Sequence, residues 1–148
     1  MDQEEDSEFT VREGVDPGGR GFPTLEILAD GHPLEAFGKP LQFGHRKAQM
    51  LFACLVPIYE FAHASGDSAR AAFAPRTIRD IADHLVVEVH VDLRRDVANG
   101  TAEQPEEPWL WLKASLPERE QIGLSARRCR AVWAVRASLE AWLLRQAE

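Results

Sequence analysis

Asp80, His84 and Glu88 recur every four residues in the middle of this chain, with His90 close behind. On a helix that spacing would gather a histidine and two carboxylates on one face, the raw material of a metal site. No His-Glu-x-x-His pattern, paired-cysteine spacing or glycine-rich phosphate loop accompanies them, so metal-assisted hydrolysis and nucleotide chemistry lack their usual carriers. Cys54 lies inside one apolar run and Cys129 in another, and neither has a histidine at a telling separation, although His63, His84 or His90 could meet them in space. The expectation is a chain that is not an enzyme, with no catalytic residue, cofactor or metal. Two free core thiols suit a cytosolic setting.

Two other groups could do binding chemistry. Arg94 and Arg95 with His90, supported by Arg46, Lys47, Arg76 and Arg79, could meet base edges and phosphates of a DNA duplex. Trp109 and Trp111 alternate along one segment, and Arg127, Arg128 and Arg130 form the densest basic cluster. Arginines beginning a helix oppose its dipole, which favours an acidic protein partner, or contact with the acidic tail of this same chain, about as much as DNA, while an exposed tryptophan would anchor a protein partner. The plainer alternatives are a solvated helix laced with pairs such as Asp92 with Arg95, and four tryptophans spent on a thin core.

The elements that must position these residues are bounded by composition. The chain has 148 residues, 45% apolar and 28% charged, which suits one domain. No stretch approaches the apolar length of a membrane span, and the acidic start is unlike a secretory leader. The net charge of -7 is uneven, because residues 1–20 hold seven acids against two arginines. The body is nearly neutral.

Residues 1–21 read as a disordered acidic tail and 22–148 as the domain. Leu25, Ile27 and Leu28, a turn at Asp30-Gly31, and then Leu41 and Phe43 suggest a small leading sheet. Ala48, Leu51, Leu55, Ile58 and Ala62 recur at three and four, so a helix spans His45 to His63, with a kink or a division into two shorter helices expected at Pro57. Ile78, Ile81, Ala82 and Leu85 share a face of a second helix. The valine-rich run from Leu85 to Leu93 alternates well enough for a strand, but Arg94, Arg95 and Asp96 and the distance to Asn99-Gly100 favour helix for 86–97. Asn99 to Pro108 is a polar loop, and Trp109 to Leu112 a strand. Ser115 to Glu118 has the spacing of a capped helix start, broken at Gly123. Ser125 opens a last helix with Cys129, Val132, Trp133, Leu139, Trp142 and Leu143 on its buried stripe.

That order resembles the winged helix-turn-helix family, in particular the output domains of response regulators and related transcription activators. Leu25 to Phe43 matches the leading sheet, Phe43 to Phe52 the entry to the first helix, Arg76 to Leu85 the support helix and Val87 to Val97 the recognition helix. The resemblance implies a mainly α fold with small β elements (α+β), a hairpin wing at Asn99 to Leu112, an extra C-terminal helix, and a bacterial-type regulatory module that binds double-stranded DNA. A protein-interaction domain on the same scaffold, or a homodimer, is the alternative it leaves open. Glu103, Glu106 and Glu107 in the wing would face phosphates unfavourably.

Overall fold

The computed structural model describes residues 8–15, 21–34, 40–64, 73–82, 85–94, 109–116 and 119–146. Eight strands and four helices lie among them, in two antiparallel sheets of four strands each. The first sheet comprises β1 (Phe9–Val15), β2 (Pro23–Ala29), β3 (His32–Pro33) and β4 (Gln42–Phe43), with β2 paired to all three others. The β2–β3 turn is Asp30-Gly31, with φ of 51° and 81°. Positive φ at both central residues is what a two-residue hairpin compatible with strand twist requires, and Asp-Gly meets it at least cost. Thr24 to Ala29 are all buried, including Glu26, whose carboxylate accepts from Arg12 at 2.6 Å.

Two helices follow, α1 (His45–Ala53) and α2 (Leu55–Ala62). The break falls at Cys54, not at Pro57. Pro57 is the third residue of α2, where a backbone N–H would have no acceptor inside the helix, so its missing donor costs little. The second sheet is a meander of β5 (Arg76–Ala82), β6 (Leu85–Arg94), β7 (Trp109–Leu116) and β8 (Glu120–Leu124). Then come α3 (Ala126–Ala134) and α4 (Arg136–Gln146), separated by a single residue, Val135. Ser125 caps α3, its Oγ accepting from the Arg128 amide at 3.2 Å.

Both sheets and all four helices feed one core. Its residues include Leu25 and Ile27 of β2, Met50 and Leu51 of α1, Ile58 and Phe61 of α2, Leu110 and Leu112 of β7, and Trp142 of α4. Helix α1 packs on the second sheet and against α4, whereas α2 packs on α3, which also meets β2.

These observations overturn the winged helix-turn-helix reading and the mainly α class. Strand residues outnumber helical ones. The expected support helix is β5, the expected recognition helix is β6, and the expected turn of helix near Gly123 is β8. The reason is visible in Val87, Val89 and Val91, each no more than 1% exposed. Spacing by two buries all three only on a strand, and a fully buried valine is worth about 1.5–3 kcal/mol. That outweighs the helix propensity of the flanking charges, which amounts to tenths of a kcal/mol per residue. Phe9–Val15, expected in a disordered tail, pair with β2 along their whole length. The expected wing, apart from Trp109 to Leu112 of β7, and residues 1–7 and 16–20 of the tail lie outside the described residues.

Candidate functional site

Alternation gives the second sheet two unlike faces. The inner one is Val87, Val89, Val91, Leu110, Leu112, Ala114 and Leu124, closed by the helices. The outer one is assembled from cross-strand rows. Thr77, His90, Lys113 and Gln121 make one row, and Asp92, Trp111 and Gly123 the next, with Arg94 opposite Trp109 beyond them.

At the aromatic end, Trp111 lies against Gly123. A Cβ added at Gly123 would stand 3.2 Å from two atoms of that ring and 3.5 Å from Trp109, so the absence of a side chain there is what lets the indole lie flat. Arg94 places its guanidinium 4.7 Å from the Trp111 ring centroid, a cation–π distance. Both tryptophans are half-buried and held before any ligand arrives.

In the middle of the face, Glu88 joins three strands. It accepts from Arg79 on β5 at 2.6 Å and from the Ser115 hydroxyl on β7 at 2.7 Å. These two hydrogen bonds, that from Ser115 first, hold its carboxyl below the ordinary carboxylate range. His90 stands beside it, Nε2 at 3.7 Å from Glu88 and Nδ1 at 2.9 Å from Thr77 Oγ1. The network is solvent-exposed and satisfies itself. Its geometry is that of cross-strand pairing.

Charge is unequally spent across the face. Arg79 is committed to Glu88, and Asp92 accepts from the Leu93 amide at 2.7 Å. Arg94 and Lys113 form no ion pair among the described residues. Two cations without an ion pair among the described residues therefore flank Trp111, with the Asp92 carboxylate level with it, on a chain of net charge -7.

The residues expected to meet DNA are dispersed by this fold. Arg79, His90 and Arg94 share the outer face, but Arg76 points to the opposite face, pairs with Glu60 of α2 and sits 4.8 Å from the Phe73 ring centroid. Arg46 and Lys47 open α1, Lys47 lying 3.8 Å from Glu120, and Arg95 lies outside the described residues. There is no recognition helix for them to serve. The regulator, DNA and homodimer expectations rested on that scaffold and fall with it. Of the expected protein-binding residues, Trp109 and Trp111 do share an outward face. Arg128 instead turns inward and donates to the Leu34 carbonyl at 2.8 Å, and desolvation lowers its pKa to about 10. Arg127 and Arg130 are half-buried and engaged. Asp80 and Glu88 point to opposite faces of the sheet, His84 lies outside the described residues, and no metal-binding cluster occurs among the described residues. Cys54 and Cys129 are both buried and free, with desolvation raising the Cys54 thiol to about 12 and pushing Cys129 beyond the usual thiol range.

Sequence reasoning missed a second aromatic group on the helices. Tyr59 of α2 has the ring centroids of His63 at 4.2 Å and of Trp133 of α3 at 4.6 Å, while the Arg136 guanidinium lies over the Trp133 ring at 4.0 Å. The spacing of Tyr59 and His63 was the available signal. Comparison with protein-family models, curated proteins and solved structures finds no match to this chain. No helix among the described residues is long and apolar enough to cross a membrane.

Proposed function

We propose that the chain is a non-catalytic binding domain, working in the cytosol, that receives an acidic extended peptide segment of another protein on the outer face of β5–β8. The observation that carries this reading is the pair of cations, Arg94 and Lys113, that form no ion pair among the described residues and stand on either side of the pre-ordered Trp111. Carboxylates of the peptide meet the cations, and its backbone and apolar stems cover the indole. Ordering Trp111 in advance against Gly123 lowers the entropy lost on binding. The cytosolic placement is supported by the two free thiols.

Magnitudes rank the contributors. An exposed ion pair is worth about 0.2–1 kcal/mol, whereas truncating a tryptophan anchor commonly costs about 2 kcal/mol or more. Trp111→Ala should therefore weaken binding more than Lys113→Ala, and added salt should weaken it further. The test is selection of displayed random peptides on the immobilised chain. Enrichment in Asp and Glu that disappears on a Trp111→Ala, Arg94→Gln chain supports the reading, and selected peptides with no acidic bias refute it.

A further inference from the structure

The outer face does not end at the Glu88 network. Beyond it, Ile81 of β5 is paired with Val86 of β6, and both are exposed, at 73% and 49%. The pairing of β6 with β7 shifts between Glu88 and Val89, so that Glu88 stands opposite Leu116 while Val89 stands opposite Ala114. A one-residue irregularity of this kind re-aims side chains. Without it, Leu116 would follow Leu110, Leu112 and Ala114 onto the inner face. With it, Leu116 shares the side of Glu88 and is 45% exposed. Three apolar side chains from three strands are thus gathered at one end of the face, with the cations and tryptophans at the other.

Resting on the reading above, the geometry points to a bipartite peptide ligand: a run of carboxylates at Arg94, Trp111 and Lys113, and one apolar side chain about six residues away, seated on Ile81, Val86 and Leu116. The spacing comes from β6 itself. Asp92 is level with Trp111, and Val86 is six positions along the same strand, about 20 Å at strand rise. An extended segment lying along the strands covers that span with the same number of residues. Between its two ends it crosses the Arg79, Glu88 and Ser115 network, whose groups already satisfy one another, so the ligand needs no charge there. Polar, uncharged residues suit the spacer.

The test uses three labelled synthetic peptides and fluorescence anisotropy at low salt. Each carries three glutamates and a threonine–serine spacer; the first has leucine six residues after the first glutamate, the one level with Trp111, the second has it ten residues after the last, and the third has serine in its place. The first should bind about tenfold more tightly than the other two, the gain from burying much of one leucine. Ile81→Thr with Leu116→Thr, which keeps strand propensity, should remove that gain and leave the affinity of the serine peptide unchanged. Equal affinity for all three peptides, or a gain that persists in the threonine variant, overturns the bipartite ligand while the acidic-segment reading stands. Binding by none of them overturns both.

Discussion

Trp142 is the largest side chain buried without exposure, and its indole N–H has no hydrogen-bond acceptor among the described residues. Its ring meets the edge of His45 at 6.5 Å between centroids. Trp142→Phe removes a polar group whose burial without a partner costs about 1–3 kcal/mol. Against that, it opens a space of roughly 40 Å³, worth about 1 kcal/mol at 24 cal/mol per Å³, and forfeits about 1 kcal/mol of transfer free energy from the atoms removed. The terms nearly cancel, so the phenylalanine variant should lie within about 1 kcal/mol of the parent chain, whereas Trp142→Ala should lose about 3–5 kcal/mol. Equilibrium urea unfolding followed by far-ultraviolet circular dichroism measures both, provided the slopes agree. A phenylalanine variant as unstable as the alanine one would refute the reasoning, because it would mean that the N–H is bonded in the folded protein.

Three other perturbations test separate parts of the structure. With the Cys54 pKa raised to about 12 and Cys129 higher still, the thiolate fraction at pH 8 is about 10⁻⁴ or less; a disulfide reagent should label the folded chain at least about 10³-fold more slowly than the urea-unfolded one, and fast labelling of one thiol in the native chain contradicts the burial described. Because the Glu88 carboxyl is held below its ordinary range, the unfolded chain binds its proton first as pH falls. Its contribution is therefore full above the usual carboxylate pKa and is lost as pH drops through the lowered value. Melting temperatures from about pH 6 down to about pH 2 should show a shallower acid decline for Glu88→Gln, and superimposable declines count against the network. Gly31→Ala, at a φ of 81°, should cost about 1 kcal/mol by the left-handed penalty, read as a lowered urea midpoint, with no loss meaning that the β2–β3 turn is not constrained as described.

Parts of this architecture are legible in the residues themselves. Asp30-Gly31 specifies a tight hairpin by dihedral preference alone, the Ser125 cap marks the start of α3, and the apolar spacing from Ala48 to Ala62 marks helix, although it cannot say that the helix parts at Cys54. The segment from Arg76 to Arg94 misleads for a physical reason. Ile78, Ile81, Ala82 and Leu85 fit helical spacing, yet Ile78 packs on the core while Ile81 is exposed. Pairing decides between the two periods: β5 and β6 pair with each other, and β6 pairs on its other side with β7, which comes from later in the chain. The candidate site divides in the same way. Trp109 and Trp111 share a face on any strand, but the neighbours that give them chemistry, Arg94, Lys113 and Gly123, depend on the register of three strands. The outward turn of Leu116 depends on a bulge that no local pattern announces.

The two helical pairs are each interrupted by one residue, Cys54 in the first and Val135 in the second, and they pack segment by segment, α2 on α3 and α1 on α4. Each joint fixes the direction in which a rod leaves its partner. Inserting a residue at one would rotate everything beyond it by about 100° and misalign a contact made by the other rod. Positions 54 and 135 thus behave as a matched pair of elbows: drift at one is constrained by the other, and grafting either helical pair into a different protein would require carrying both bends together.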